Sequence, residues 1–172
     1  MLSRALRLLV LVAAAGLLNA GAGPASAQDD ELEAMATALK DTTFTLQDGL
    51  KASEREGQPI SAQFEMDDGK LQISIYTTKG DDFSEVVADP KTGAIMKTEK
   101  ITDTDDINDA ADQKAAMAKA KTSLVAAADA AVKENSGFRA VSIFPDLRDG
   151  HAIAEVTLLQ GTTAKKVTEK LD

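Results

Sequence analysis

The residues that could do chemistry in this chain are one histidine, several closely spaced aspartates and a scatter of serines and threonines. A hydroxyl becomes a nucleophile only with a base beside it. His151 is the one histidine, and it follows Asp149-Gly150, a dipeptide that favours an exposed turn. His151 is therefore read as a solvent-facing turn or strand residue. Asp67-Asp68 and Asp81-Asp82 are carboxylate pairs, but each adjoins a glycine in a predicted turn, where water solvates both acids and neither is poised for proton transfer. Asp103, Asp105 and Asp109 are spaced like oxygen ligands of calcium. A loop register starting at Asp103 nevertheless puts Asn108 where the turn glycine belongs and Lys114 where a bidentate glutamate is required. These acids are read instead as a helix N-terminus, where the dipole favours negative charge. The chain has no His-Glu-x-x-His, no glycine-rich phosphate loop and no cysteine. The expectation is a non-enzymatic protein with no catalytic residue, no metal site and no cofactor.

These residues sit on a pattern that occurs twice. Asp68-Gly69, Gly80 and Val86 recur as Asp149-Gly150, Gly161 and Val167, each 81 positions on (149 minus 68). A period that long is domain-sized, so it predicts duplication of a small α+β module. In the first copy Thr45 has the place of a helix N-cap, Asp48 completes a capping box, and Leu46 and Leu50 share a face. Gly57 and Pro59 stop the helix. The period then drops to two: Ile60, Ala62, Phe64 and Met66 alternate with Ser61, Gln63 and Glu65, predicting one buried and one wet face. Asp67-Asp68-Gly69-Lys70 is a hairpin turn. Leu71, Ile73 and Ile75 carry the returning strand, Phe83 to Ala88 a third, and Asp89-Pro90-Lys91-Thr92-Gly93 turns into a fourth at Ala94-Ile95-Met96.

The second copy opens with a long Ala-rich helix over roughly 107–135, with Met117, Leu124, Ala128, Ala131 and Val132 as its apolar stripe and Gly137 at its close. Strands follow around Val141 and Ile143, then His151 to Leu159, then Ala164 to Leu171. The predicted fold class is α+β: two modules, each one helix packed on a small antiparallel β-meander.

Arg4 and Arg7 precede an apolar run from Leu8 to Leu18, and Ala25-Ser26-Ala27 closes the segment. That order is a secretory signal peptide cleaved before Gln28. The apolar stretch is shorter than the roughly 20 residues of a spanning helix, so the mature chain is expected in the periplasm or outside the cell. Its formal charge would fall from −9 to −11, as 17 basic against 28 acidic residues remain. That balance argues against nucleic acid or anionic lipid as partner. Residues 28–42, acidic and Ala-rich, read as a short helix or a loose leader.

Asp89-Pro90-Lys91-Thr92-Gly93-Ala94-Ile95, preceded by Phe83-Ser84-Glu85-Val86-Val87-Ala88, resembles the closing strand and turn of a PepSY domain. The usual ending in that family is an extended run, an Asp, a short turn with Gly and an apolar residue or two. The helix, the Asp-Gly hairpin and the returning strand before it match in order. The resemblance covers about 43–100 and extends more weakly over 122–172, where the terminal Asp-x-x-x-Gly turn is missing. With the signal pattern and the acidic leader read above, it gives a plan of signal peptide 1–27, leader 28–42, first PepSY-like module 43–101, acidic linker or helix start 102–111, and second PepSY-like module 112–172. It also implies a small exported module of the kind found in propeptides of secreted metallopeptidases, where it is thought to inhibit or chaperone the protease, and in stand-alone envelope proteins. The family pattern carries no catalytic residues.

Two functional readings follow. The first is a protein-interaction or peptidase-modulating module acting on a secreted or envelope protein. Its strands Phe83 to Ala88 and Ala164 to Leu171 would lie at sheet edges, with Phe83, Glu85, Val87, Lys165, Lys166 and Val167 meeting an added strand. Lys165, Lys166, Glu169 and Lys170 also suit the plainer role of guarding an edge. The second reading is a periplasmic small-ligand or ion-binding carrier, with a cleft between modules lined by Tyr76, Phe83 or Phe144.

Overall fold

The computed structural model describes residues 25–172. The expected signal peptide up to residue 24 lies outside the described residues. The elements in chain order are α1 (Ala25–Leu39), α2 (Leu46–Ser53), β1 (Gln58–Asp67), β2 (Lys70–Lys79), β3 (Asp82–Ala88), β4 (Ile95–Lys100), α3 (Thr104–Lys119), α4 (Leu124–Glu134), β5 (Arg139–Arg148), β6 (His151–Gln160) and β7 (Thr163–Lys170). The expected cleavage point, between Ala27 and Gln28, falls in the first turn of α1. The leader is helical, and Met35, Ala36 and Leu39 bury its inner face.

The expectation of two modules, each one helix packed on its own small antiparallel meander, is corrected by the structure. All seven strands form one antiparallel sheet in the order β4-β3-β2-β1-β5-β6-β7. The reason is that β1 and β5, the first strands of the two expected modules, pair with each other through Ala62↔Ile143 and Gln63↔Ser142. Neither meander keeps a free edge at that side. The helices α2 and α4 then pack on each other as well as on the strands, and Gln47 donates to Asp129 across them at 3.0 Å. One apolar layer, including Leu46, Leu50, Leu124, Ala128 and Ala131, covers Ala62, Ile73, Ile75, Val86, Ile143, Val156 and Leu158 from both halves.

Local signals explain much of this. Thr45 and Asp48 form the capping box of α2, so two otherwise orphaned donors, the Thr45 and Asp48 N–H groups, gain partners at its start. Gly49 lies on the buried face of α2, where an added Cβ would stand 3.1 Å from Ile73 Cγ2; glycine lets this helix approach the sheet closely. Asp68 and Gly69 have φ of 46° and 74°, and Asp149 and Gly150 have 51° and 82°. Two consecutive left-handed residues are what a tight two-residue hairpin demands. The registers of the two hairpins also agree at the offset of 81: Gln58↔Thr78 and Ile73↔Ala88 correspond to Arg139↔Leu159 and Ala154↔Glu169. Even the irregularities coincide, at Pro59/Ser61 in β1 and at Ala140/Ser142 in β5.

That bulge also moves one residue to the other face. Ile60 does not share a face with Ala62 and Phe64; it joins Tyr76, Phe83 and Ala110 in a second, smaller cluster. An extra residue in one strand breaks the two-residue alternation on which the expectation rested. The single long helix expected over 107–135 is likewise divided. Ser123 caps a new helix through the Ala126 N–H, and the carbonyl of Leu171 accepts from the Lys121 and Thr122 N–H groups at 2.6 and 2.9 Å. The break lets α3 cover the polar side of the sheet while α4 covers the apolar side. Asp103 caps α3 through the Asp105 and Asp106 N–H groups, which is the helix-terminal role expected for that acidic stretch.

The turn on which the family resemblance rests is closed by its own side chain. Asp89 Oδ1 accepts from the Lys91 and Thr92 N–H groups, each at 2.8 Å, and the Gly93 N–H donates to the Asp89 carbonyl at 2.8 Å. Those N–H groups hold the Asp89 carboxyl below the usual aspartate range. Gly93 has φ of 70°, and an added Cβ would lie 2.4 Å from the Phe44 ring. Gly93→Ala is therefore expected to cost about 2–4 kcal/mol, combining backbone strain with overpacking. Gly161→Ala, at φ 56° with nothing near, is expected to cost only about 1 kcal/mol. Equilibrium denaturation of both variants measures the difference.

Candidate functional site

One face of β1, β2 and β3 is polar where burial would favour apolar side chains. Ser61, Gln63 and Ser74 are buried there. Burial of such groups is tolerable only when each finds a partner. Ser61 donates to Gln113 Oε1 of α3 at 2.6 Å, which fixes where α3 crosses. Beyond the reach of α3, Glu65 gathers donors: Gln72 Nε2 and Ser74 Oγ, both at 2.6 Å, reach its Oε1, and Gln63 Nε2 reaches its Oε2 at 3.2 Å. Period-two spacing brings these together, because Gln63↔Ser74 and Glu65↔Gln72 are direct cross-strand pairs.

Glu85 approaches the same Ser74 from β3. Burial pushes its carboxyl above the usual glutamate range; the Ser74 hydroxyl acts the other way, the charge of Glu65 adds to the rise, Lys97 opposes it and Glu99 adds again. A serine hydroxyl has one proton to give, so it cannot serve two carboxylates at once. Glu65 and Glu85 therefore compete for it, which leaves the half-buried Glu85 carboxylate short of donors. Tyr76 stands beside them and is mostly buried, so its hydroxyl is pushed well above the usual tyrosine range, first by burial and then by Glu85, Glu65 and Asp106. This arrangement is a half-buried carboxylate network. It contains no activated nucleophile, and among the described residues no three His, Cys, Asp or Glu side chains are placed to hold a metal ion.

The structure separates the sequence-expected binding residues. Phe83, Glu85 and Val87 lie on β3, which is not an edge, because β4 pairs along its outer side from Ser84↔Lys100 to Ala88↔Ile95. Phe83 and Val87 are buried; Phe83 packs with Ile60 and Ala110, and the Lys114 ammonium stands 5.7 Å from its ring centre. The cleft expected at Tyr76, Phe83 and Phe144 is not assembled either: Tyr76 and Phe83 are core to α3, and Phe144 pairs with Glu155 in β5 and β6. Lys165, Lys166 and Val167 are on β7, which pairs with β6 and is an outer strand. Lys165 donates to Asn135 Oδ1 near the end of α4, Lys166 is exposed, and Val167 packs against the main core. His151 is exposed as expected, with Nδ1 2.5 Å from Asp172 Oδ2.

The second outer strand, β4, differs in quality. Its register slips at Val87/Ala88, next to the exposed Met96, and it carries the alternating charges of Lys97, Glu99 and Lys100. A bulge and alternating charge both discourage strand addition. β7 holds its register without a break from Thr163 to Lys170.

No protein-family model matches the chain, and no curated protein matches it. Among solved structures, a candidate lipoprotein from Clostridium difficile 630 aligns at 17% identity over 71% of this chain and 80% of its own, with a TM-score of 0.40. A likeness at that score carries no argument about fold or function. No helix among the described residues is long and apolar enough to cross a membrane.

The polar face makes a pH prediction. Because the folded-state pKa of Glu85 lies above its unfolded value, its ionised form destabilises the fold at neutral pH, and the penalty fades as pH falls through that raised pKa towards the ordinary glutamate range. Glu85→Gln is expected to raise Tm at pH 7, with the gap to the wild type closing by pH 3.5. Thermal denaturation at a series of pH values measures it; a gap that does not change with pH would contradict the assignment.

Proposed function

We propose that this chain is a non-enzymatic, exported protein-recognition module, periplasmic or secreted, built from two copies of a PepSY-like unit merged in one sheet. The observation that carries the reading is the unbroken outer edge of β7, which among the described residues pairs with no further strand and presents Lys165, Lys166 and Lys170. An edge of this kind takes an extended segment by strand addition, with main-chain hydrogen bonds giving affinity and alternate side chains giving selectivity. The repeated turns, registers and bulges at the offset of 81 support duplication, and the Asp89 to Gly93 turn supports the family resemblance. By that resemblance, a secreted or envelope protein is the partner class, and peptidase modulation in trans is the first activity to test. Export rests on the signal-peptide pattern of residues 1–27.

The test is retention of partners by the mature chain from a periplasmic or culture-supernatant extract, beside a Lys165→Glu/Lys166→Glu variant. The wild type is expected to retain a protein partner and the variant to lose at least tenfold of it, with a Tm close to the wild type's because both lysines are exposed and only the exposed Lys165 to Asn135 hydrogen bond is given up. Equal retention by both proteins would remove β7 as the binding edge.

A further inference from the structure

We infer that β7 is shaped for an acidic extended segment that lies antiparallel to it, in the position that β4 occupies against β3. This inference rests on the protein-recognition reading above and specifies the partner. Its first ground is the internal correspondence of the sheet. β3 and β7 stand at equal places in the two halves, at the offset of 81, and each pairs inward with the same register: Val86↔Ile75 and Val167↔Val156. On the outer side of β3 the molecule itself supplies the addition. β4 runs antiparallel there, with Thr98 opposite Val86, Glu99 opposite Glu85 and Lys100 opposite Ser84. Transferring those pairings to β7 sets the incoming residues opposite Val167, Lys166 and Lys165 in turn.

The second ground is charge. The chain as a whole is formally −9, yet β7 concentrates three lysines against one glutamate in eight residues. The position that faces Glu99 of β4 in the first half is Glu85, whereas its counterpart in the second half is Lys166. An acid in the incoming strand would meet a cation at Lys166 where β4 meets a like charge. Directly opposed unlike charges stabilise a cross-strand pair and like charges destabilise it. Glu169, farther along β7, is pushed above the usual glutamate range by burial and by Glu134, so the acids of the partner belong opposite Lys166 and Lys165 and not at that end. Val167, seated on the core, favours a β-branched residue opposite it. Read from its N-terminus, the recognised segment is a small or hydroxylated residue opposite Thr168, a β-branched one opposite Val167, then two acids.

The probe is a capped hexapeptide containing Thr-Val-Glu-Glu, titrated into the 15N-labelled mature chain and compared with the same peptide carrying Lys-Lys in place of Glu-Glu. The expected result is amide shifts and slowed hydrogen exchange confined to residues 163–170, with affinity at least tenfold higher for the acidic peptide. In the Lys166→Glu variant, which should keep its fold because Lys166 is exposed, that preference should invert. No shift in β7 at millimolar acidic peptide, shifts centred on β4, or a preference for neither peptide would overturn the inference and leave the lysines as guards of the edge. A natural partner that is still retained by Lys166→Glu would overturn it while sparing the broader recognition reading.

Discussion

The pairing of β1 with β5 is the constraint on which the rest of this molecule depends. It is a short ladder, with Ala62↔Ile143 and Gln63↔Ser142 as its register, yet it converts two meanders into one seven-stranded sheet. The offset of 81 makes Ile143 the counterpart of Ala62, so the seam joins equivalent positions, as it would around a local two-fold axis. Few backbone bonds cross it, and side chains do much of the joining. The Arg139 guanidinium, on β5, donates to the carbonyls of Leu39, Thr42 and Phe44 at 2.9, 3.2 and 3.2 Å and stands 5.4 Å from the Phe64 ring centre. One cation thereby satisfies the end of α1 and the loop into α2 from the far side of the seam. Half-buried, its guanidinium is pulled below the usual arginine range by desolvation, which is tolerable because three acceptors surround it.

Merging the halves has different consequences for the two faces. On the apolar face α2 and α4 meet over the seam, so neither half has to bury its strands alone; a unit of that size would be marginal by itself. On the opposite face α3 runs across both halves, tied by Lys114 Nζ to the Gly80 carbonyl and by Lys119 Nζ to the Gly150 carbonyl. It covers the end of the sheet near those turns and leaves the Glu65, Ser74 and Glu85 network half-buried. The halves also differ at their outer limits: among the described residues β3 is covered by β4 and no strand covers β7. The functional asymmetry proposed here is that difference.

Much of the local structure was legible in the residues. The capping box at Thr45 and Asp48, the Asp-Gly hairpins and the strand alternation all depend on neighbours in sequence, where spacing maps directly to geometry. What could not be read was set by partners far along the chain. Nothing within Gln58–Asp67 announces that its free side will meet Arg139–Arg148, so the residue pattern leaves open whether the two modules share one sheet, and β3 reads as an edge strand. The division of the long helix was missed because Ala120 to Ser123 has no proline or glycine, and Thr122-Ser123 becomes a break only when Leu171 accepts the freed N–H groups. The polar network was half visible: Ser61, Gln63 and Glu65 were recognised as one face of β1, but they were expected to be wet. Burial of Ser61 and Gln63 depends on α3 and on β2, and the sequence pattern of β1 carries neither.

Native-state amide exchange tests most directly whether the seam makes one cooperative structure. If it does, the slowest-exchanging amides of β2 and β3, such as Ile75 and Val86, and those of β6, such as Val156 and Leu158, will report the same opening free energy and respond identically to denaturant. Two separate unfolding units, with one half remaining protected after the other has opened and with the β1 and β5 amides exchanging before either, would contradict the account.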